Sequence, residues 1–197
     1  YLIIMHHDEF PYEKNFTQSV ISKIFYSGNL QVGVMNLILL DDKRKWSALH
    51  FPAKLKVWIV KNIPKYIFYR NVIGPTGVLI VKKSLYPKFN EDLRWFVDVE
   101  CYYRIFVKRP EIQNWDDINI VSLINRGDGS ITGQMTKNKE LKNLKTKERG
   151  LILDMYGDNF FLYKDKIIIF ETILWYLFRV IQFATRIAKG NIIKTRK

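Results

Sequence analysis

Residues 89–106 read FNEDLRWFVDVECYYRIF, a stretch in which acidic side chains interrupt an aromatic and apolar segment. The short polar residues at positions 90–92 suit a helix start, because such side chains satisfy the free amides of the first turn. We therefore expect a helix from there to about Phe106. On that helix the apolar neighbours should be buried, in particular Leu93, Phe96, Val97 and Cys101.

Asp98 and Glu100 are the carboxylates inside this segment. Burial disfavours the charged form of a carboxylate and so raises its basicity, which suits a general base that removes a proton from a hydroxyl. The alternative is a structural ion pair with Arg94 or Arg104. The residues alone leave both interpretations open.

The chain opens with YLIIM at residues 1–5, which predicts a buried strand, and His-His-Asp-Glu follows at residues 6–9. A carboxylate at a strand end can hold a divalent metal that bridges substrate phosphates. Adjacent histidines on a strand point to opposite faces, so a shared zinc ion is not expected. The alternative is a polar turn after a strand.

The other patterns predict alternating strands and helices, and hence an α/β fold. A helix with apolar residues at Phe16, Val20 and Ile24 should stop at Gly28-Asn29. Strands are predicted at residues 31–40, 77–83 and 118–124, loops and a short helix at 43–73, a turn-rich loop at 125–133 and a helix at 137–149 ending near Gly150.

Gly74-Pro75-Thr76-Gly77 leads into the strand predicted at residues 77–83. Glycine lets the backbone approach a ligand closely, so the turn is a candidate binding loop. An ordinary turn into a strand is the alternative.

The order of these segments over about residues 1–150 resembles the second half of a glycosyltransferase family 2 enzyme, which has the Rossmann-like GT-A fold. In that family a strand ends in a D-x-D type motif whose last Asp binds Mn²⁺ or Mg²⁺. His6-His7-Asp8 stands in that place, although many members have Asp where this chain has His6. The resemblance implies that Asp8 is the metal ligand and that His6, His7 and Glu9 lie on the donor diphosphate side.

The segment at 89–106 fits the family pattern Phe-x-Glu-x-Leu followed by Glu-Asp and Arg. Asp98 takes the place of the catalytic base, at the family spacing from Arg104, while Val97 replaces the usual Glu. The resemblance assigns Gly74, Pro75, Thr76, Trp95 and Glu100 to the acceptor side. For Trp95, stacking on a sugar competes with an ordinary core position. The loop at 124–140, with Arg126, resembles the one that closes near the donor phosphates.

The activity implied is inverting transfer of a sugar from a nucleotide-sugar donor to a glycan or lipid-linked acceptor. The family's preceding nucleotide-binding half is not recognisable here, so we expect a partial domain. A non-catalytic remnant or scaffold of the same fold is one alternative.

Residues 151–197 are predicted to be an apolar and basic helical extension. Within residues 166–197, Glu171, Arg179 and Arg186 interrupt the apolar run, so a membrane-spanning helix is not expected. An interfacial helix or one docked on the body fits, and a basic tail would attract anionic lipid: Lys189, Lys194, Arg196 and Lys197. We expect a cytoplasmic protein with peripheral contact at the inner face of the membrane.

The formal net charge of +13 favours anionic partners. A basic nucleic-acid-binding module is therefore a further alternative, but the basic residues are scattered and form no known recognition motif, so no nucleic acid is expected. Cys101 is the single cysteine, which excludes an intrachain disulfide and a cysteine zinc site and suits a reducing compartment.

Overall fold

The computed structural model describes residues 1–41, 46–50, 54–124 and 139–157, and residues 1–156 group into one compact unit. This part is a mixed α/β structure, as predicted. The strands are β1 (Glu9–Pro11), β2 (Val32–Asp41), β3 (Trp46–His50), β4 (Leu79–Val81) and β5 (Ile112–Ile124). The helices are α1 (Phe16–Tyr26), α2 (Lys54–Asn62), α3 (Tyr66–Tyr69), α4 (Val97–Phe106) and α5 (Lys139–Tyr156).

The strand β2 lies at the centre of a five-stranded sheet ordered β1-β5-β2-β3, with β4 also paired to β2. It runs parallel to β5 along its whole length. On its other side, its first part pairs antiparallel with β4 and its second part with β3. Residues 32–38 are all buried, which explains why this strand is a continuous apolar run and does not alternate.

A bulge interrupts the pairing of β2 with β5. Met35 lies opposite Trp115, but Asn36 lies opposite Asn119, so three residues of β5 are left over. The buried side chain of Asn36 closes the gap by donating from Nδ2 to the Asp116 carbonyl oxygen at 2.7 Å. The bulge shifts the register of the pairing, and the two strands remain paired in parallel on either side of it.

The second half of the predicted helix in residues 89–106 is confirmed, but its start is not. The helix α4 begins at Val97, and Asn90 instead accepts a hydrogen bond from the Asp92 amide in a local turn. Leu93, Phe96 and Cys101 are buried as expected, while Val97 is half-buried.

The prediction of a strand over residues 1–5 is wrong. Leu2 makes an isolated bridge with Val81, and the strand β1 comes after the polar residues, pairing with β5. The segment His6-His7-Asp8 is therefore a turn that leads into a strand. This resembles the alternative interpretation, a polar turn, except that the turn precedes a strand and does not follow one.

Residues 43–73 were expected to be loops and a short helix, but their described part contains β3, α2 and α3. The strand β5 begins six residues earlier than residue 118, and α5 continues through Gly150 to Tyr156. The helix α1 ends at Tyr26, and Gly28 follows in a left-handed conformation with φ of 62°, so the predicted stop at Gly28-Asn29 is confirmed.

Arg126 and residues 166–197 lie outside the described part of the chain. Within the described residues, no helix is long and apolar enough to cross a membrane.

Candidate functional site

The buried carboxylate of Glu9 joins the His6–Glu9 turn to the glycine-rich turn that precedes β4. Its Oε2 accepts hydrogen bonds from the backbone amides of His6 and Gly77, each at 3.1 Å. The two amides lie 71 positions apart in the chain. Glu9 was expected on the donor side, and the structure instead shows it linking two segments of the site.

Gly77 is required at this contact. A Cβ atom at this position would overlap the Glu9 carboxylate oxygen, so a larger residue would require that carboxylate to move from its hydrogen bond with the Gly77 amide. Burial raises the pKa of Glu9 above its ordinary value, while the two amide hydrogen bonds and nearby His6 oppose that rise.

Asn71 shapes the other end of the glycine-rich turn. Its Oδ1 accepts from the amides of Ile73 and Gly74, and its Nδ2 donates to the Gly74 carbonyl oxygen at 3.0 Å. Gly74 has a φ of 109°, a conformation that favours glycine. Tyr102 of α4 donates its hydroxyl to the same Gly74 oxygen at 3.1 Å, which fixes the turn against α4.

Asp98 lies on the first turn of α4, with its Oδ2 3.9 Å from Nε2 of His6. Its side chain is 28% exposed. Partial burial raises the pKa of Asp98, and the neighbouring His6 lowers it again by charge attraction. The desolvated carboxylate predicted from the sequence is therefore found at Asp98.

Glu100 is almost fully buried and is engaged within the protein. Arg104 approaches Oε1 with Nε at 2.7 Å and donates from Nη2 to Oε2 at 2.9 Å. The hydroxyl of Tyr156 also donates to Oε1. This is the structural ion pair that the sequence left open, and it favours a structural role for Glu100 over the acceptor contact implied by the resemblance.

The acceptor-side residues differ in their access to solvent. Gly74, Pro75 and Trp95 are half-buried, whereas Thr76 is only 2% exposed. Within the described residues, the hydroxyl of Thr76 has no hydrogen-bond partner. The prediction that Thr76 contacts an acceptor is not supported by this burial, because its side chain lies beneath the surface.

Glu148 of α5 is a structural residue that sequence reasoning missed. Its carboxylate accepts from the amides of Arg94, Trp95 and Phe96 at 2.8–3.2 Å, and it is 1% exposed. These amides come just before α4, so Glu148 holds the start of the helix that carries Asp98. No local pattern signals the contact, because its partners lie more than 50 residues away.

Asp8 is half-buried beside the exposed His6 and His7. No cluster of three or more His, Cys, Asp or Glu residues able to hold a metal occurs in the described ranges. Mg²⁺ is commonly held by one or two carboxylates together with substrate phosphates, so a single oxygen donor at Asp8 fits that mode of binding.

Comparisons of the chain with protein-family models, with curated proteins and with solved structures found no match.

Proposed function

We propose that this chain is part of an inverting glycosyltransferase of the family 2 type, with a GT-A fold, in which Asp98 is the catalytic base. The enzyme would move a sugar from a nucleotide-sugar donor to a glycan or lipid-linked acceptor. One observation carries the proposal: His6 and Asp98, from motifs 92 residues apart, lie 3.9 Å from each other.

The links around this contact also support the proposal. Glu9 joins the His6–Glu9 turn to the Gly77 turn, and Tyr102 joins the Gly74 turn to α4. The three segments that carry the resemblance therefore surround one region. If His6 and Asp98 were close only by chance, there would be no reason for the Gly74–Gly77 turn to lie beside them as well.

In the proposed reaction, Asp98 accepts the proton of an acceptor hydroxyl. The oxygen of that hydroxyl forms a bond to the anomeric carbon of the donor. The bond from that carbon to the nucleoside diphosphate breaks, and the diphosphate leaves with the electron pair. A carboxylate of raised pKa is a stronger base for this step than an ordinary one. In this proposal, His6 and His7 contact the departing diphosphate.

Mn²⁺ or Mg²⁺, held by Asp8 together with the donor phosphates, would supply positive charge that stabilises the leaving diphosphate. The contribution of the chain itself is the half-buried carboxylate of Asp8.

The proposal is tested by melting the protein with UDP or GDP, each with and without Mn²⁺. A ligand that binds only the folded state at 100 times its Kd stabilises it by about 2.7 kcal/mol. We expect a metal-dependent rise in melting temperature that Asp8→Ala abolishes. Asp154→Ala is the matched control, because Asp154 is exposed on α5.

Transfer activity is the second test, with UDP- and GDP-sugars as donors. Asp98→Asn should lower turnover by about 10²–10⁴-fold, the usual contribution of a general base. Absence of any nucleotide-dependent melting shift, both in this chain and in a longer chain that includes a nucleotide-binding half, would contradict the proposal. So would equal losses in the Asp8 and Asp154 variants.

A further inference from the structure

A cavity of about 310 Å³ lies between α3, the start of α4 and α5. Its volume is near the lower end of the range for small-molecule sites, about 300–1,000 Å³. Phe96 and Val99 line it, and Asp98 lies between them in the chain. The cavity therefore adjoins the helical turn that carries the proposed base.

Aromatic side chains form one part of the lining: Phe68, Tyr69 and Trp95. Phe68 is held in place by ring contacts, with its centroid 4.8 Å from that of Tyr103 and 5.7 Å from that of Tyr156. Fixed aromatic rings present flat apolar faces at little cost in side-chain entropy, a property that suits the apolar face of a sugar ring.

Positive charge forms another part of the lining. Lys145 and Arg149, four residues apart on α5, both line the cavity. The Lys145 ammonium lies 3.9 Å from the centroid of the Trp95 ring, so a cation–π contact holds it at the aromatic wall. Asn71 adds an amide to the polar lining.

Among the residues that the structure describes, nine line the cavity, and none of these nine is acidic. The nearest acidic neighbour in sequence, Glu148, lies between the two cations, but its carboxylate is buried and already accepts from three backbone amides. The described lining of the cavity therefore carries positive and no negative side-chain charge.

We propose that this cavity binds an acceptor saccharide that carries an anionic group, with Lys145 and Arg149 contacting the anion and Trp95 the sugar. The assignment of the saccharide as the acceptor rests on the proposed function. The anion is a phosphate or a carboxylate, since both accept charge-assisted hydrogen bonds from these side chains.

The test is an NMR titration of the full chain without nucleotide or metal. The probes are N-acetylglucosamine 1-phosphate, glucuronic acid and neutral N-acetylglucosamine. We expect the two anionic sugars to bind more tightly than the neutral one, and less tightly as salt is raised. The order of the two anionic probes distinguishes a phosphate carrier from a carboxylate carrier.

Lys145→Gln should weaken binding of the anionic sugars by about tenfold, as expected for loss of one charge-assisted contact, and leave the neutral sugar unchanged. Lys147→Gln is the matched control, because Lys147 is exposed on the same helix and does not line the cavity. Lys145→Arg keeps the charge and should retain most of the binding.

Equal binding of anionic and neutral sugars, or equal losses in the Lys145→Gln and Lys147→Gln variants, would overturn the inference. Its failure is distinguishable from failure of the proposed function. Asp8→Ala should leave sugar binding intact. A protein that binds the anionic probes but fails the tests of the proposed function would keep the cavity as an anionic-saccharide site, while the transferase proposal would fail.

Discussion

Partial burial of Asp98 is unfavourable for stability at neutral pH, and it suits the role of base that we propose for this residue. Its carboxylate is partly removed from water, and Nε2 of His6 lies 3.9 Å from it. Burial has the larger effect, so the pKa of Asp98 lies above its ordinary value of 3.8. The folded state therefore takes up a proton at this site more readily than the unfolded state.

We expect Asp98→Asn to raise the melting temperature at pH 7. A raised folded pKa means that the contribution of Asp98 to stability falls as pH rises from its unfolded pKa through its folded pKa. The neutral Asn avoids that loss. Below pH 3.8, where Asp98 is protonated in both the folded and the unfolded state, Asp98→Asn should melt at the same temperature as the wild type. Asp154→Asn, at an exposed position, should leave the melting temperature unchanged both at pH 7 and below pH 3.8. A lower melting temperature for Asp98→Asn than for the wild type at pH 7 would contradict the prediction.

Replacing His6 tests the other influence on the same carboxylate. His6 lowers the pKa of Asp98, so His6→Gln should raise that pKa further and move the acidic limb of any turnover profile to higher pH. NMR titration of the Asp98 carboxyl carbon measures the shift without requiring activity. His7→Gln is the control. An equal shift of the Asp98 pKa in both variants would mean that the contact with His6 is not what lowers this pKa.

At the scale of elements, the site depends on contacts between segments that are distant in sequence. Asp98, its partial desolvation and the approximate helix around it could be predicted, because local apolar spacing carries that information. The capping by Glu148, the strand β3 and the true position of β1 could not. Each depends on a partner elsewhere in the chain, and local patterns do not encode which residue that partner is.

A pair of glycine substitutions tests the turn at Gly77. Gly77→Ala places a Cβ atom into the Glu9 carboxylate, so it should destabilise the protein by about 1–3 kcal/mol. Gly150→Ala meets open space within α5 and should stabilise by roughly 0.5–1 kcal/mol. Urea unfolding measures both, and a stable Gly77→Ala protein would argue against a rigid link between the two turns.

Glu148→Gln tests the capping of α4. The neutral side chain loses the charge-assisted bonds to three amides, and we expect a loss of about 1–3 kcal/mol in the free energy of unfolding. Glu91→Gln, at an exposed position, should have little effect. If both variants unfold at the same urea concentration as the wild type, the capping contact contributes nothing measurable.

At the scale of the whole molecule, β2 is the strand around which the described structure is organised, since three other strands pair with it. Its sequence predicted a strand at residues 31–40 but not the position of that strand at the centre of the sheet. The strong positive charge predicted an anionic partner, and the cavity beside Trp95 gives one location where such a partner would meet cations.

The basic tail predicted to attract anionic lipid calls for a test on the full chain. We expect wild-type protein to float with vesicles of anionic lipid and not with zwitterionic ones, because each basic residue near such a surface contributes about 1 kcal/mol. Replacing the four basic residues of the tail with Gln should reduce flotation: Lys189, Lys194, Arg196 and Lys197. Equal flotation of both proteins would exclude this tail as the contact.

Glu148 of α5 contacts the residues just before α4, and Tyr156 of α5 contacts Glu100 within α4. These contacts couple the order of the proposed active site to a helix that contributes no catalytic group. A partial unfolding event that released α5 would also expose the Glu100 carboxylate and the three amides before α4. The free energy of that local opening, not of global unfolding, would then set how often Asp98 is out of place. Protection of these amides from hydrogen exchange is therefore a property of α5 as much as of α4.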